Sequence, residues 1–210
     1  MNKVASEKQR SSARLSGFRK ATANHLTQPI VRFLTRTPIT PNALTWLGFF
    51  LTAGAAALII TGHLFAAGFV VLVAGFFDML DGALARYTNQ TTRFGSVLDS
   101  VLDRFSDAVV LIGILVLSAD EQYFIQVVLA AVALFGSFVV SYVRARAEAL
   151  GLECQVGLFT RPERVIVLAL GLLLSQFDYA LVVALTIIAV FSFITVGQRL
   201  RHVRRQTKSE

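Results

Sequence analysis

The chain has 210 residues, of which 55% are hydrophobic and only 16% charged, and it carries a formal net charge of +7. So apolar a composition excludes an ordinary water-soluble domain and makes a membrane protein the first class to test. The positive charge does not mark a nucleic-acid partner, because Lys and Arg sit where they flank lipid-spanning segments and meet anionic headgroups.

Residues 1–10 are polar and read as disordered. From Ser11 to Thr37, Leu15, Phe18, Leu26, Val31 and Leu34 recur at loosely helical spacing among Arg and Lys, which predicts an amphipathic segment lying in the membrane interface. A floppy basic arm is the alternative. The first apolar run begins only after about forty residues, so the N-terminus lacks the pattern of a signal peptide and the first spanning helix is expected to direct targeting.

Apolar runs then follow at 43–62, 64–77, 105–118, 123–142, 164–176 and 179–197. Several reach the roughly 20 residues that cross a hydrocarbon core. The expected fold is an all-α integral membrane protein with six transmembrane helices and an N-terminal amphipathic juxtamembrane helix. The expected organisation is a cytoplasmic arm at 1–37, a six-helix catalytic domain at 38–200 and a basic tail at 201–210.

Thr40-Pro41-Asn42-Ala43 opens the first helix, with Pro early in the helix where its missing N–H costs least. Helix two is expected over 64–86, helix three over 94–117 and helix four over 123–150. Arg161-Pro162-Glu163-Arg164 starts helix five, and helix six begins near Tyr179. Lys and Arg occupy the first 36 residues, the 86–93 and 144–164 connections and the tail after Arg199, whereas the other connections have none. The positive-inside rule therefore puts both termini and the two basic connections in the cytoplasm, with the protein multi-pass in the cell membrane. Cys154 has no partner for an intramolecular disulfide and is assigned no role.

The informative interruptions of the apolar pattern are acidic. Asp78 and Asp81 are three apart on helix two, and Asp99 and Asp103 four apart on helix three, so each pair lies along one face. In an antiparallel hairpin turning near residue 90, Asp81 faces Asp99 and Asp78 faces Asp103. Four such carboxylates in a membrane repel one another and cost a few kcal/mol each. A divalent cation resolves this, and hard oxygen ligands without Cys or His favour Mg²⁺ or Mn²⁺. Asp107, one turn deeper, is either a packing residue, a partner of Arg104 or a ligand. A solvated or proton-relaying acidic cluster is the plain alternative.

From Asp78 to Asp103 the sequence reads Asp-x2-Asp-Gly-x2-Ala-Arg-x8-Gly-x3-Asp-x3-Asp. This string resembles the signature of the CDP-alcohol phosphotransferase family at each of its defined positions. The resemblance implies a phosphatidyltransferase that takes CDP-diacylglycerol as donor, works as a homodimer and has its active site on the cytoplasmic side. It implies that Asp78, Asp81, Asp99 and Asp103 hold two metal ions and that Asp103 is also the general base. Gly82 and Arg86 are then nucleotide contacts, as are Thr40, Pro41, Asn42, Ala43 and Thr92. A helix-packing glycine, a topology-setting arginine and a helix cap at Asn42 are the corresponding bland readings.

Beyond this motif, Ser141–Glu148, Arg161-Pro162-Glu163-Arg164 and Gln198-Arg199 resemble the phosphatidylinositol phosphate synthases within that family. The resemblance implies that Arg144, Arg164 and Arg199 cradle the phosphate of inositol 1-phosphate, a role for which guanidinium forks are suited. The subgroup usually carries Lys where this chain has Arg144. Glycerol 3-phosphate is the rival acceptor, and a divalent-cation transporter is the rival of a different class. A non-catalytic lipid-binding scaffold is a third option.

Overall fold

The computed structural model describes residues 29–35 and 37–208. Six helices account for most of them: α1 (Pro41–Ile60), α2 (Leu64–Tyr87), α3 (Arg93–Asp120), α4 (Phe124–Ala149), α5 (Arg161–Leu173) and α6 (Ala180–Gln206). Among the described residues there is no β-strand. Residues 29–34 are helical as well and lead into α1. The expected boundaries hold to within a few residues, except that α6 continues through the start of the basic tail to Gln206.

Four helices, α1, α2, α4 and α6, are long and apolar enough to cross a membrane. The other two fall short for different reasons. α3 has 28 residues, but Asp99, Asp103, Arg104 and Asp107 interrupt its first half. α5 has 13 residues, about 20 Å of helix against a hydrocarbon core of about 30 Å. The outward faces are apolar throughout: Phe50, Phe65, Phe135 and Val183 are all more than half exposed, a distribution that suits lipid contact.

The helices pack as a closed ring: α1 on α2, α2 on α5, α5 on α6, α6 on α4, α4 on α3 and α3 back on α1. This order departs from the simple hairpin that the chain order predicts, because α2 and α3 do not pack extensively on each other. Both lean on α1, which leaves a gap between the two acid-bearing helices. Facing rows of like charge offer no packing energy of their own, whereas α1 offers small and apolar side chains to both. Gly68 shows how close the seams are, since a Cβ there would lie 2.8 Å from Leu173 of α5.

A continuous apolar core, including Ile59, Val71, Ile114, Leu172 and Ile188, fills one part of the bundle. A smaller cluster joins Val31 and Leu34 to Leu44, Leu80 and Leu84. The C-terminal end of the expected amphipathic segment therefore packs on α1 and α2; Leu15, Phe18 and Leu26 lie outside the described residues. The polar ends of all six helices gather at the opposite end of the bundle from the 174–179 turn.

Residues 151–160 run flat across α6. Leu158 and Phe159 donate backbone N–H groups to Gln198 Oε1 and Thr195 Oγ1, at 3.1 and 3.2 Å. Gly157 has φ of +143°, and a Cβ there would sit 2.7 Å from the Thr195 methyl, so only glycine fits. Cys154, within this segment, is free and fully buried.

Candidate active site

Thr40 caps α1, its hydroxyl accepting from Ala43 N–H at 3.3 Å, and Pro41 follows at the first helical position. The cap is thus Thr40 rather than Asn42, which leaves the Asn42 amide free for other work. Thr92 caps α3 in the same way, accepting from Gly95 N–H at 2.9 Å. Between them, α2 ends in a turn closed by Gln90 N–H to Ala85 C=O, with Asn89 at φ of +54° supplying the left-handed residue.

These three helix ends enclose a cavity of about 170 Å³ lined by Pro41, Asn42, Thr45, Asp81, Gly82, Ala85, Arg86, Gln90, Thr91, Thr92, Gly95, Ser96 and Asp99. Glycines stand where the walls come close. A Cβ on Gly95 would lie 3.1 Å from Asn42 Oδ1, and one on Gly82 would lie 3.3 Å from the Arg86 guanidinium. Asp81 is 4% exposed and stays anchored there: the Thr45 hydroxyl donates to its Oδ2 at 2.7 Å, and Gly82 N–H donates to its Oδ1.

Asp78 and Asp103 lie behind this cavity, toward α5. Room for Asp78 comes from α1, where a Cβ on Gly48 would be only 2.8 Å from Asp78 Oδ1. The carboxylates repel across the gap, with the charge of Asp99 bearing on Asp78, Asp81 and Asp103. What sits between Asp78 and Asp103 is Arg161. Its guanidinium reaches Asp78 at 2.6 Å, Asp103 at 2.7 Å and Asp107 at 3.5 Å.

A capping box fixes that arginine. Thr160 N–H donates to Glu163 Oε2 at 2.7 Å and starts α5 with Arg161 as its first residue. Arg164, three residues on and so on the same face, is 4% exposed and bonds Asp107 Oδ2 at 2.8 Å. Asp107 is thus a partner of Arg161 and Arg164 rather than of Arg104.

Among the described residues no three His, Cys, Asp or Glu side chains converge on one point that an ion could occupy. The donor set nevertheless has the chemistry a divalent cation takes: the hard carboxylates of Asp78 and Asp103 share one cationic guanidinium, and those of Asp81 and Asp99 line the adjoining cavity. A cation is what this gap demands electrostatically.

A family model, CDP-alcohol phosphatidyltransferase, matches residues 38–196. The chain belongs to the CDP-alcohol phosphatidyltransferase family. It is 41% identical over 198 residues to the phosphatidylinositol phosphate synthase of Mycobacterium tuberculosis, with 91% of each chain covered. It is 34% identical over 175 residues to the archaetidylinositol phosphate synthase of Methanothermobacter thermautotrophicus, covering 82% of this chain and 87% of that one. A crystal structure of the Mycobacterium tuberculosis synthase with CDP-DAG bound superposes with a TM-score of 0.78 at 40% identity, covering 85% of this chain and 94% of that one. Another structure of that enzyme, in complex with manganese and citrate, gives 0.76 at 41% identity, covering 84% and 88%. Divalent-metal binding is thus a property found within the family.

In this family member, the cavity gathers Pro41, Asn42, Gly82, Arg86 and Thr92 of the expected nucleotide contacts, together with Asp81 and Asp99. Thr40 and Ala43 do not line it; both are exposed on the outer side of the cap. Of the three expected acceptor arginines, Arg144 and Arg164 are each near enough for their charge to bear on Arg199. Each is already engaged. Arg144 is exposed and pairs with Glu148 at 2.7 Å; Arg199 is 3% exposed and donates to the carbonyls of Val156, at 2.9 Å, and Val140.

Sequence reasoning missed Thr45 and the central place of Arg161. Thr45 follows the noticed Thr40–Ala43 stretch by two positions and could have been found by asking which residue of the next turn faces inward. Arg161 carries no local signal that separates it from a topology-setting arginine. A larger cavity of about 670 Å³ lies between α5 and α6 at the 174–179 turn, but Asp178 is the one charged residue lining it, so it offers no phosphate site.

Proposed function

We propose that this chain is a phosphatidylinositol phosphate synthase, moving the phosphatidyl group of CDP-diacylglycerol to a hydroxyl of inositol 1-phosphate and releasing CMP. The observation that carries this reading is the sharing of one acidic gap by two unlike sides. On one side is the glycine-walled cavity with Arg86; on the other is the arginine cluster of α5 and α6. A nucleotide diphosphate suits the first and a phosphorylated alcohol the second, because guanidinium forks match phosphate oxygens.

The acceptor hydroxyl oxygen attacks the phosphorus that bears the diacylglycerol, and the bond from that phosphorus to the CMP oxygen breaks. Asp103 takes the hydroxyl proton, as a carboxylate within the gap between donor and acceptor sides. Arg86 orients the donor diphosphate, and Arg164, with Arg144 and Arg199 near it, orients the acceptor phosphate. Asp78, Asp81, Asp99 and Asp103 would hold two Mg²⁺ ions, with Mn²⁺ as a substitute. The chemistry such ions supply when bound is neutralisation of charge on the donor diphosphate and on departing CMP.

In this reading all six helices span the bilayer, α3 tolerating its acids because they face the ring interior and α5 serving as a short span. The reaction end and both termini face the cytoplasm, an orientation that the basic 86–93 and 144–164 connections support. The working unit is a homodimer, on the family resemblance alone. Clustering of the acids at one end of the bundle, rather than through its depth, favours an enzyme over a cation transporter.

Purified protein in lipid nanodiscs, given labelled CDP-diacylglycerol and each acceptor separately, tests the assignment. CMP release with inositol 1-phosphate is expected. Release with glycerol 3-phosphate alone would make the chain a phosphatidylglycerophosphate synthase instead.

A further inference from the structure

Arg161 uses its two terminal nitrogens on Asp78 and Asp103, which belong to different helices and to the proposed metal-binding set. Its Nε is buried and has no hydrogen-bond partner, although Asp107 Oδ1 lies 3.5 Å away. The side chain is therefore satisfied at one end and one short step from satisfaction at the other. Asp107 sits one turn along α3 from Asp103 and already accepts from Arg164.

A guanidinium does not deprotonate in a protein, so Arg161 keeps its charge whatever shares the gap. A divalent cation bound through Asp78 and Asp103 would use the oxygens that Arg161 holds and would repel it strongly at that range. Resting on the metal-site reading above, we infer that Arg161 is an internal competitor of the metal with two docks. It bridges Asp78 and Asp103 until a divalent cation takes those carboxylates, and then swings fully onto Asp107 beside Arg164. Metal loading thereby moves a positive charge from the carboxylate gap to the acceptor side. Asp107 acts in this as a positioning residue, through Arg161, and not as a metal ligand.

The test is direct Mn²⁺ titration of the full-length protein in nanodiscs, with free Mn²⁺ read by electron paramagnetic resonance and no substrate present. Arg161→Gln should tighten Mn²⁺ binding about tenfold or more, because one repelling unit charge is gone, and should lower the melting temperature measured in chelator. Asp107→Asn should weaken Mn²⁺ binding several-fold, since Arg161 loses its second dock. The double variant should match Arg161→Gln alone. Unchanged or weaker Mn²⁺ binding in Arg161→Gln overturns the inference, as does a double variant that keeps the full Asp107→Asn loss. Should Arg161→Gln fail to fold, Arg161→Lys should tighten Mn²⁺ binding by a smaller factor, and no change there overturns the inference equally. If the wild-type protein binds no Mn²⁺ at all, the metal-site reading itself fails.

Discussion

The donor side and the acceptor side of the gap are built in opposite ways. The donor side comes from residues 41–99, on two turns and three adjoining helix ends, and its polar groups are held mainly by short-range caps, with the Thr45 hydroxyl bond to Asp81 tying α1 to α2. The acceptor side draws on α3, α4, α5 and α6, and its buried arginines, Arg161, Arg164 and Arg199, are tied by ion pairs and carbonyl bonds across many residues of sequence. A site made of local turns is preformed and open. A site made of long-range ion pairs is preformed but occupied by its own partners, so an incoming phosphate would have to displace or share them: Asp107 at Arg164, Glu148 at Arg144 and backbone carbonyls at Arg199.

The largest effect expected from breaking this contrast lies where the two sides meet. Asp103→Asn should lower turnover by about 10²- to 10⁴-fold while CDP-diacylglycerol binding stays near wild type, because the proton transfer belongs to the transition state. Single-turnover kinetics with an equilibrium donor-binding assay checks it, and wild-type turnover would remove Asp103 from the role of base.

Arg164→Ala comes next. It should raise the acceptor KM about tenfold or more and cost about 3 kcal/mol of stability, because it removes the closer of the two arginines that neutralise Asp107. Steady-state kinetics alongside thermal unfolding would separate the two; a change in donor KM instead would erase the proposed division of sides.

Gly48→Ala tests the wall behind Asp78, where the new methyl would meet a carboxylate oxygen. Mn²⁺ affinity should fall several-fold, and an unaltered titration curve would mean that Asp78 has room to spare. Thr45→Val should raise the donor KM a few-fold, in line with loss of one buried hydrogen bond to Asp81 worth about 1 kcal/mol, and leave the acceptor KM alone. Arg144→Lys should have the smallest effect, since Arg144 is an exposed i, i+4 partner of Glu148 and such pairs contribute about 1 kcal/mol or less. A large rise in acceptor KM would mean that the phosphate needs the planar guanidinium fork of Arg144 and not merely a positive charge there.

Local order made much of this molecule legible. The apolar runs and the spacing of Asp78, Asp81, Asp99 and Asp103 are properties of contiguous segments, and helical geometry carries them into space with little latitude. Pro41 was readable as an early helical residue for the same reason, whereas the caps were not: Thr40 rather than Asn42 caps α1, and Thr92, singled out only by resemblance, caps α3. Which helix packs on which was not readable: α2 and α3 are neighbours in the chain yet meet through α1. Nor was it readable that Arg161, from a helix far along the chain, bridges Asp78 and Asp103 while adjacent Arg104 reaches Asp103 only at 3.8 Å, or that Arg199 is spent on the carbonyls of Val140 and Val156. An ion pair forms wherever the folded backbone brings two charges within a few ångströms, and its energy depends on that distance and on burial, neither of which is written in sequence separation.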